Sequence, residues 1–99
     1  YAYGVSSGTA SLMLGVIAIN IGSGDEVILH PNCFMAAVEA IKIAGAKPVL
    51  VDTEKEGFGP DPDQIEKTIS EKTKAILIVH MYGHPINVTP ILDICNNMD

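Results

Sequence analysis

Short apolar segments alternate with segments of helical periodicity along the chain, and this alternation restricts the fold more than any other feature. The predicted strands are a short one that leads into Ser6-Ser7-Gly8, then Glu26–His30, Pro48–Asp52 and Ala75–His80. Continuous apolar strands, without alternating polar residues, are typical of strands buried on both faces. The sequence therefore predicts an α/β fold of three layers, in which helices cover both faces of a mostly parallel sheet.

A helix is predicted after each strand, and these helices differ in their apolar surface. Residues 9–20 are apolar on almost every face, so this helix is expected to be buried on several sides within a larger body. The second helix is predicted over Phe34–Ala44, with Gly45 as its C-terminal residue. The fourth begins at Thr89-Pro90, and its inward residues are expected to be Ile91, Leu92, Ile94 and Cys95.

The third helix carries the clearest start signal. Asp61 is expected to cap it, Pro62 suits its first turn, and Gln64 completes a capping box. Ile65 and Ile69 form a narrow apolar stripe, which predicts a helix on the outside of the domain.

The segment Gly4–Leu12 combines small residues with the start of the first helix. Ser7 or Thr9 can cap the first amides of that helix through a side-chain oxygen. Gly4 and Gly8 permit a sharp turn and the close approach of another group. Unpaired N–H groups and the positive end of the helix dipole favour an anion, most naturally a phosphate. Helices with such starts often bind nothing, so this segment alone leaves both interpretations open.

Side chains with chemical reactivity gather at the predicted carboxyl ends of the strands. These ends carry Ser6–Thr9, His30–Phe34, Asp52-Thr53 and His80–His84. In open α/β sheets ligands bind beyond the carboxyl ends of the strands, so a site is predicted at this edge. Phe34 lies just past a strand end, where it is expected either to belong to the core or to stack on a flat ring of the ligand.

Other kinds of site do not fit the sequence. The segment Gly4–Gly8 lacks the dinucleotide pattern Gly-x-Gly-x-x-Gly, and no lysine follows Gly8 as a Walker loop requires. Neither Cys33 nor Cys95 has a base at a spacing that would activate its thiol. We predict separate polar groups and no metal site for the metal-ligating side chains at this edge, His30, Cys33, His80 and His84.

Composition and charge exclude further classes of function. Twelve acidic and six basic residues give a net charge of −6, and the absence of a basic run argues against a nucleic-acid partner. Two cysteines without a C-x-x-C pair suit a reducing cytoplasm. Without a signal peptide or a bilayer-spanning apolar run, no membrane is expected. The sequence starts without Met and stops inside a helical pattern, so residues 1–99 are expected to be part of a larger domain, cut at both ends.

Six sequence blocks occur in the order and at the spacing of a known family. They are Ser6–Leu12, Gly24–Ile28, Pro31–Phe34, Ala44–Asp52, Thr73–Ile76 and Val79–Pro85. Together they resemble the early large domain of the DegT/DnrJ/StrS-type sugar aminotransferases, fold type I enzymes that use pyridoxal 5'-phosphate (PLP). The resemblance covers essentially the whole chain, which is therefore expected to be a piece of the cofactor-binding domain.

The resemblance implies site residues and partners. Gly8, Thr9 and Ala10 match the segment that holds the cofactor phosphate, and Phe34 matches the aromatic residue that stacks on the pyridine ring. It places the acidic partner of the ring nitrogen just past Asp99 and the Schiff-base lysine much later, so this chain is expected to contain no catalytic residue. The implied substrates are a nucleotide-linked keto-sugar and an amino-acid donor, and the implied assembly is a homodimer in sugar-nucleotide and polysaccharide biosynthesis.

Two sets of residues bear on this assignment. Cys33 stands where Thr is commoner in the family, and His84 stands where Gln is commoner, so both are expected to affect substrate contacts. Asn87-Val88 replaces the family's usual Asp-Met, which nothing in the sequence explains. The lysines are expected on helices, turns or strand starts and not at a carboxyl strand end: Lys42, Lys47, Lys55, Lys67, Lys72 and Lys74.

Three alternatives remain open from the sequence. The first is a PLP-dependent sugar dehydratase of the same family, in which a His replaces the Schiff-base lysine. The second is a non-catalytic sensor or structural protein that keeps the fold. The third is a nucleotide-binding α/β domain that uses Ser6–Thr9 for a ribose phosphate, against which the missing dinucleotide pattern argues.

Overall fold

Three parallel strands form the centre of the molecule in a computed structural model that describes residues 1–98; Asp99 lies outside the described residues. The elements are α1 (Gly8–Ala18), β1 (Glu26–Leu29), α2 (Met35–Ile43), β2 (Lys47–Leu50), α3 (Pro62–Thr68), β3 (Thr73–Leu77), a 3-10 turn (Met81–Gly83) and α4 (Thr89–Asn96).

The strand order is β2-β1-β3, and β1 pairs in parallel with both neighbours. Ile28 at its centre lies opposite Val49 of β2 and Ile76 of β3. Val27, Ile28 and Leu29 are almost fully buried, which explains why this strand is apolar without interruption.

Helices cover both faces of the sheet. On one face α1 and α2 pack over Val27 and Leu29, and the buried side chains there include Val16 and Ile41. On the other face Ile65 of α3 and Ile91 of α4 pack over Ile28. The predicted three-layer α/β architecture with a parallel sheet is therefore confirmed.

The strand predictions were wrong in number and in part of their bounds. Residues 1–5 join no strand of the described chain, and all five are exposed. A strand needs a neighbouring strand to pair with its backbone N–H and C=O groups. An apolar pattern does not show whether such a neighbour is present, and the described sheet consists of β2, β1 and β3 alone. β3 covers Thr73–Leu77 and not Ala75–His80, because its pairing with β1 ends where Leu77 meets Leu29. β2 likewise ends at Leu50, although Val51 still donates its N–H to the carbonyl of Leu29 at 3.1 Å.

Helix α1 spans Gly8–Ala18, close to the predicted 9–20, and the described residues bury one side of it; burial on further sides was predicted for the larger body. Val16 is its buried residue, whereas Leu14 and Ile17 within the helix and Ile19 just beyond it are each more than half exposed. The reason is geometric: α2 and the sheet cover one side of α1, and no described element covers the others. Helix α2 matches the prediction, with Gly45 in the left-handed conformation (φ +87°) just past its end.

The start of α3 was predicted correctly except for the capping box. Asp61 is the N-cap, and its Oδ1 accepts the N–H of Asp63 at 2.9 Å. Gln64 does not close the box, because the N–H of Asp61 that it would accept already donates to the carbonyl of Asp52 at 2.8 Å. Ile65 is fully buried.

Helix α4 begins at Thr89 as predicted, but only part of its predicted inward face is inward. Ile91 is buried and Ile94 is half-buried, whereas Leu92 and Cys95 are exposed. Successive residues of a helix turn by about 100°, so Leu92 cannot share the buried position of Ile91. Among the helices of residues 1–98, none is long and apolar enough to cross a membrane.

Candidate functional site

The loops that follow the three strands leave the sheet at one edge, since the strands are parallel. Pro31–Phe34 follows β1, Asp52–Pro60 follows β2, and His80–Pro85 follows β3. These loops contain three of the four predicted clusters of polar residues. The carboxyl edge of a parallel sheet is where ligands bind in this architecture.

The N-terminus of α1 reaches the same edge. The turn Gly22–Asp25 connects the C-terminal end of α1 to the start of β1 and is closed by a 2.9 Å bond from the N–H of Gly22 to Asp25 Oδ2. Since α1 is about 16 Å long, its first turn lies towards the opposite, carboxyl edge. Cys33, in the loop after β1, packs in the same cluster as Leu12 and Met13 of α1. The predicted phosphate segment and the loop that carries Phe34 therefore lie at the same edge of the sheet.

The first turn of α1 presents two backbone donors. Ser7 caps the helix as predicted: its Oγ accepts the N–H of Ala10 at 3.1 Å, and its carbonyl accepts the N–H of Ser11 at 3.0 Å. The N–H groups of Gly8 and Thr9 have no acceptor among residues 1–98. A Cβ placed on Gly8 would meet no atom within 4 Å, so an anion has room to approach. This turn therefore fits a phosphate.

Phe34 lies at the N-cap position of α2 with an extended backbone (φ −70°, ψ 138°). Its side chain is 73% exposed, so it does not belong to the core of the described residues. Of the two interpretations open from the sequence, the exposed ring fits stacking on a ligand. The first turn of α1 thus offers two N–H donors for a phosphate, and Phe34 offers a flat face for a ring. Together they suit a ligand that consists of a flat ring with a phosphate attached.

His30 differs from the other polar residues at this edge because it is completely buried. Neither ring nitrogen has a hydrogen-bond partner in the described part of the chain. Burial lowers the pKa of its imidazole, since the charged form loses water, and the nearby backbone of Val79 opposes this shift. Its position at the end of an apolar run was the signal for burial. The sequence interpretation grouped it with the reactive residues instead.

The remaining candidates for metal or thiol chemistry are not brought together. No three His, Cys, Asp or Glu side chains of residues 1–98 lie close enough to hold a metal ion. Burial raises the pKa of the Cys33 thiol, which disfavours the thiolate that a nucleophile needs.

Two lysines illustrate where the lysines lie relative to the sheet. Lys55 lies in the loop after β2 and so on the carboxyl side, whereas Lys47 begins β2 and pairs with Glu26 at the amino edge.

The loop after β3 is held closed from within. Nδ1 of His80 accepts the N–H of Ile86 at 3.1 Å, and the N–H of Gly83 donates to the carbonyl of His80 at 3.0 Å. Tyr82 at its tip has a φ of 56°, which is rare for a bulky residue. Sequence reasoning missed the aromatic contacts that Phe58 makes with this loop, because the two segments are far apart in sequence.

The chain belongs to the DegT/DnrJ/EryC1/StrS aminotransferase family, whose profile matches residues 1–99. The family predicted from the six sequence blocks is thus confirmed.

Named relatives agree with this assignment. The chain is 42% identical to a GDP-perosamine synthase of Escherichia coli O157:H7, over 98% of this chain and 27% of the relative. It is also 42% identical to a dTDP-3-amino-3,6-dideoxy-alpha-D-galactopyranose transaminase of Aneurinibacillus thermoaerophilus, over 92% of this chain and 25% of the relative.

A solved structure supports the fold. The crystal structure of NtdA from Bacillus subtilis, with bound cofactor PMP, superposes with a TM-score of 0.89 at 41% identity, over 94% of this chain and 21% of that one. The chain therefore spans about a quarter of the length of these relatives.

Proposed function

We propose that the protein to which this chain contributes is a PLP-dependent aminotransferase that acts on a nucleotide-linked keto-sugar. The observation that carries the proposal is the pair of free N–H groups at Gly8 and Thr9 together with the exposed ring of Phe34, both at the carboxyl edge of the sheet. This pair occurs in a chain whose relatives include a sugar-nucleotide transaminase and a structure with bound PMP, the aminated form of such a cofactor.

The first turn of α1 would hold the cofactor phosphate. The N–H groups of Gly8 and Thr9 and the hydroxyl of Thr9 donate to it, and the helix dipole favours its negative charge. Ala10, the third residue of the predicted set, donates its N–H to Ser7. Binding of the phosphate through Ala10 would therefore replace that bond.

Phe34 would cover one face of the cofactor ring and fix its plane. Aromatic stacking is worth about 0.5–1.5 kcal/mol beyond the area that it buries. Because the ring is exposed on a helix that begins at Met35, it can meet the cofactor without disturbing the core. The cofactor supplies the electron sink for carbanion chemistry, and this chain supplies its binding and orientation.

The remaining parts of the proposal concern the whole protein. An amino acid serves as amino donor, the working unit is a homodimer in the cytoplasm, and the pathway is sugar-nucleotide or polysaccharide biosynthesis. The Schiff-base lysine lies outside this chain, whose own lysines lie mainly on helix ends and at the amino edge of the sheet.

The test is amino transfer by the purified full-length protein. We expect glutamate and PLP to support conversion of a nucleotide-linked keto-sugar to an amino sugar, detected by mass spectrometry, with no conversion when PLP is removed. Loss of water from the sugar without amino transfer would instead indicate the dehydratase. Absence of cofactor absorbance would favour a sensor or structural protein. If a protein without cofactor absorbance bound a nucleotide, the nucleotide-binding α/β domain would be favoured.

A further inference from the structure

Three side chains form an exposed cluster on the loops that follow β2 and β3. The ring of Phe58 lies edge-to-face against Tyr82, with centroids 6.1 Å apart, and edge-to-face against His84, with centroids 5.5 Å apart. We call Phe58, Tyr82 and His84 the aromatic cluster. Tyr82 is 89% exposed and Phe58 is 41% exposed, so Phe58 supports the cluster and Tyr82 presents a free ring.

The two loops that carry the cluster are closely packed against each other. The loop after β2 is closed by the pairing of Thr53 with Pro60 and by a 3.3 Å bond from the N–H of Gly59 to Glu54 Oε1. Gly59 packs so tightly against buried Ile86 that an added Cβ would lie 2.6 Å from Ile86 Cγ2. The position of the cluster is thus fixed by the backbone of both loops.

The conformation of Tyr82 has a cost that packing does not explain. A bulky residue with φ of 56° is strained by about 1–3 kcal/mol, and such strain is concentrated at functional sites. Asn or Gly would fit this backbone better. Since the Tyr82 ring is almost fully exposed, its contribution to the core does not offset the strain. A ligand for the ring offers an explanation.

The cluster lies on the same edge as the candidate cofactor site. β1 and β3 are hydrogen-bonded neighbours, about 5 Å apart, so the loop that carries Phe34 and the loop that carries Tyr82 leave adjacent strands. A substrate whose reacting sugar lies over the cofactor can therefore extend towards the cluster.

We propose that the aromatic cluster is the surface on which the nucleobase of the sugar substrate stacks. This inference rests on the proposed function. A flat base can stack over the whole of a free aromatic face, whereas a pyranose is puckered and carries hydroxyl groups, so that only part of its surface can pack against such a face. The names of two relatives carry a purine (GDP) and a pyrimidine (dTDP), and stacking accepts both because every base has a π face. The site is thus a platform that tolerates different bases, with His84 beside it able to hydrogen-bond to a base edge.

The variants Tyr82→Asn and Tyr82→Phe test this platform in the full-length enzyme loaded with PLP. Asn removes the ring but suits the left-handed backbone, so the loop keeps its conformation. Phe keeps the stacking face. The probes are GDP and dTDP alone, titrated by calorimetry. For the one that binds wild type more tightly, we expect about a 10-fold or greater increase in Kd with Tyr82→Asn and less than about a 3-fold increase with Tyr82→Phe.

Other results would overturn the assignment. Unchanged nucleoside-diphosphate binding in Tyr82→Asn, with a raised KM for the keto-sugar substrate, would place the pyranose on the cluster instead. A change in oligomeric state would show that the cluster is a contact between subunits. No change in either Kd or KM would show that the cluster binds no part of the substrate.

The proposed function is tested by a different result from the one that tests the aromatic cluster. It fails if wild type transfers no amino group to nucleotide-linked keto-sugars, whatever the variants do. The change in cofactor absorbance on adding glutamate does not involve a nucleobase, so it must be the same in wild type and in Tyr82→Asn. A loss of that response would show general damage to the enzyme and would overturn a specific role of Tyr82.

Discussion

The backbone N–H of Ile86 donates a 3.1 Å hydrogen bond to Nδ1 of His80, and this bond closes the loop that follows β3. An accepting Nδ1 requires the neutral imidazole with its proton on Nε2. Ile86 is buried, so its N–H has no ready replacement partner when the imidazole is removed. The His80 side chain therefore connects the end of β3 to the segment that leads into α4.

Two substitutions at His80 separate the contribution of this hydrogen bond from other roles of the side chain. The Oδ1 of Asn lies close to the position of Nδ1, whereas the amide of Gln lies near Nε2. We expect His80→Gln to lower the free energy of unfolding by about 1–2 kcal/mol and His80→Asn to lower it much less, in chemical denaturation of the full-length protein. Equal losses of unfolding free energy in the two variants would contradict a stabilising role of this hydrogen bond.

A second prediction concerns pH and the buried His30. Burial lowers the pKa of its imidazole below the ordinary value of 6.5, so the unfolded chain binds the proton at a higher pH than the folded protein. The stability that neutral His30 contributes is thus fully present above about pH 6.5 and is lost as the pH falls below it. We expect the free energy of unfolding to decrease from pH 6.5 to pH 5.

The control for this prediction is a variant without an ionisable group at position 30. His30→Met removes the titrating group but fills the space, and we expect it to reduce the pH dependence. The prediction is wrong if His30→Met retains the wild-type slope.

A third prediction concerns Thr9. Thr9→Val keeps the shape of the side chain but removes the hydroxyl that would bind the cofactor phosphate. We expect PLP affinity of the full-length protein to fall by about 1.5–3 kcal/mol, the contribution of a hydrogen bond to a charged group. Ser11→Ala, on an exposed position of the same helix, is the matched control. Equal PLP affinity in wild type and Thr9→Val, by equilibrium titration, would refute the assignment.

The fourth prediction separates stacking from packing at Phe34. Phe34→Leu keeps apolar volume but removes the flat face. Because Phe34 is 73% exposed, we expect an almost unchanged melting temperature for the apoprotein, with weaker PLP binding and a shifted absorbance band. Phe58→Leu changes the other phenylalanine and should leave the absorbance band in place. A large loss of stability with a normal spectrum would mean that Phe34 is a core residue.

The fold was predictable where a local pattern decides the structure. The apolar run around Ile28 and the Asp61-Pro62 start of α3 need no partner to be interpreted, and both were located within one or two residues. The missing first strand and the end of β3 at Leu77 depend on which strands are neighbours. Periodicity contains no information about neighbours, so these features could not be derived from it.

The candidate site divides in the same way. The cap at Ser7 and the helix that begins after Phe34 follow from local sequence, and the structure has both. The burial of His30 and the contact between Phe58 and Tyr82 join segments that are distant in the chain. The roles of Thr9 and Phe34 came from the family resemblance and await the experiments above.

The last prediction is that residues 1–99 do not fold robustly in isolation. Leu14 and Ile17 of α1 are more than half exposed, and an open apolar groove runs between α1 and β3, lined by Leu12, Val16, Ile19 and Leu77 among others. The unpaired edge of β3 can also pair with other chains. We expect the isolated chain to bind a hydrophobic dye and to aggregate with rising concentration.

The same isolated chain tests the chemical prediction. With PLP and an amine donor present, we expect borohydride to trap no cofactor on any specific lysine, because none of the six lysines is proposed to be catalytic. The full-length protein, treated identically, is the positive control and should be labelled at one lysine outside residues 1–99. A sharp cooperative melt of a soluble monomer would contradict the folding prediction. Trapping at Lys55, which lies on the carboxyl side of the sheet, or at any other single lysine of this chain would contradict the chemical one.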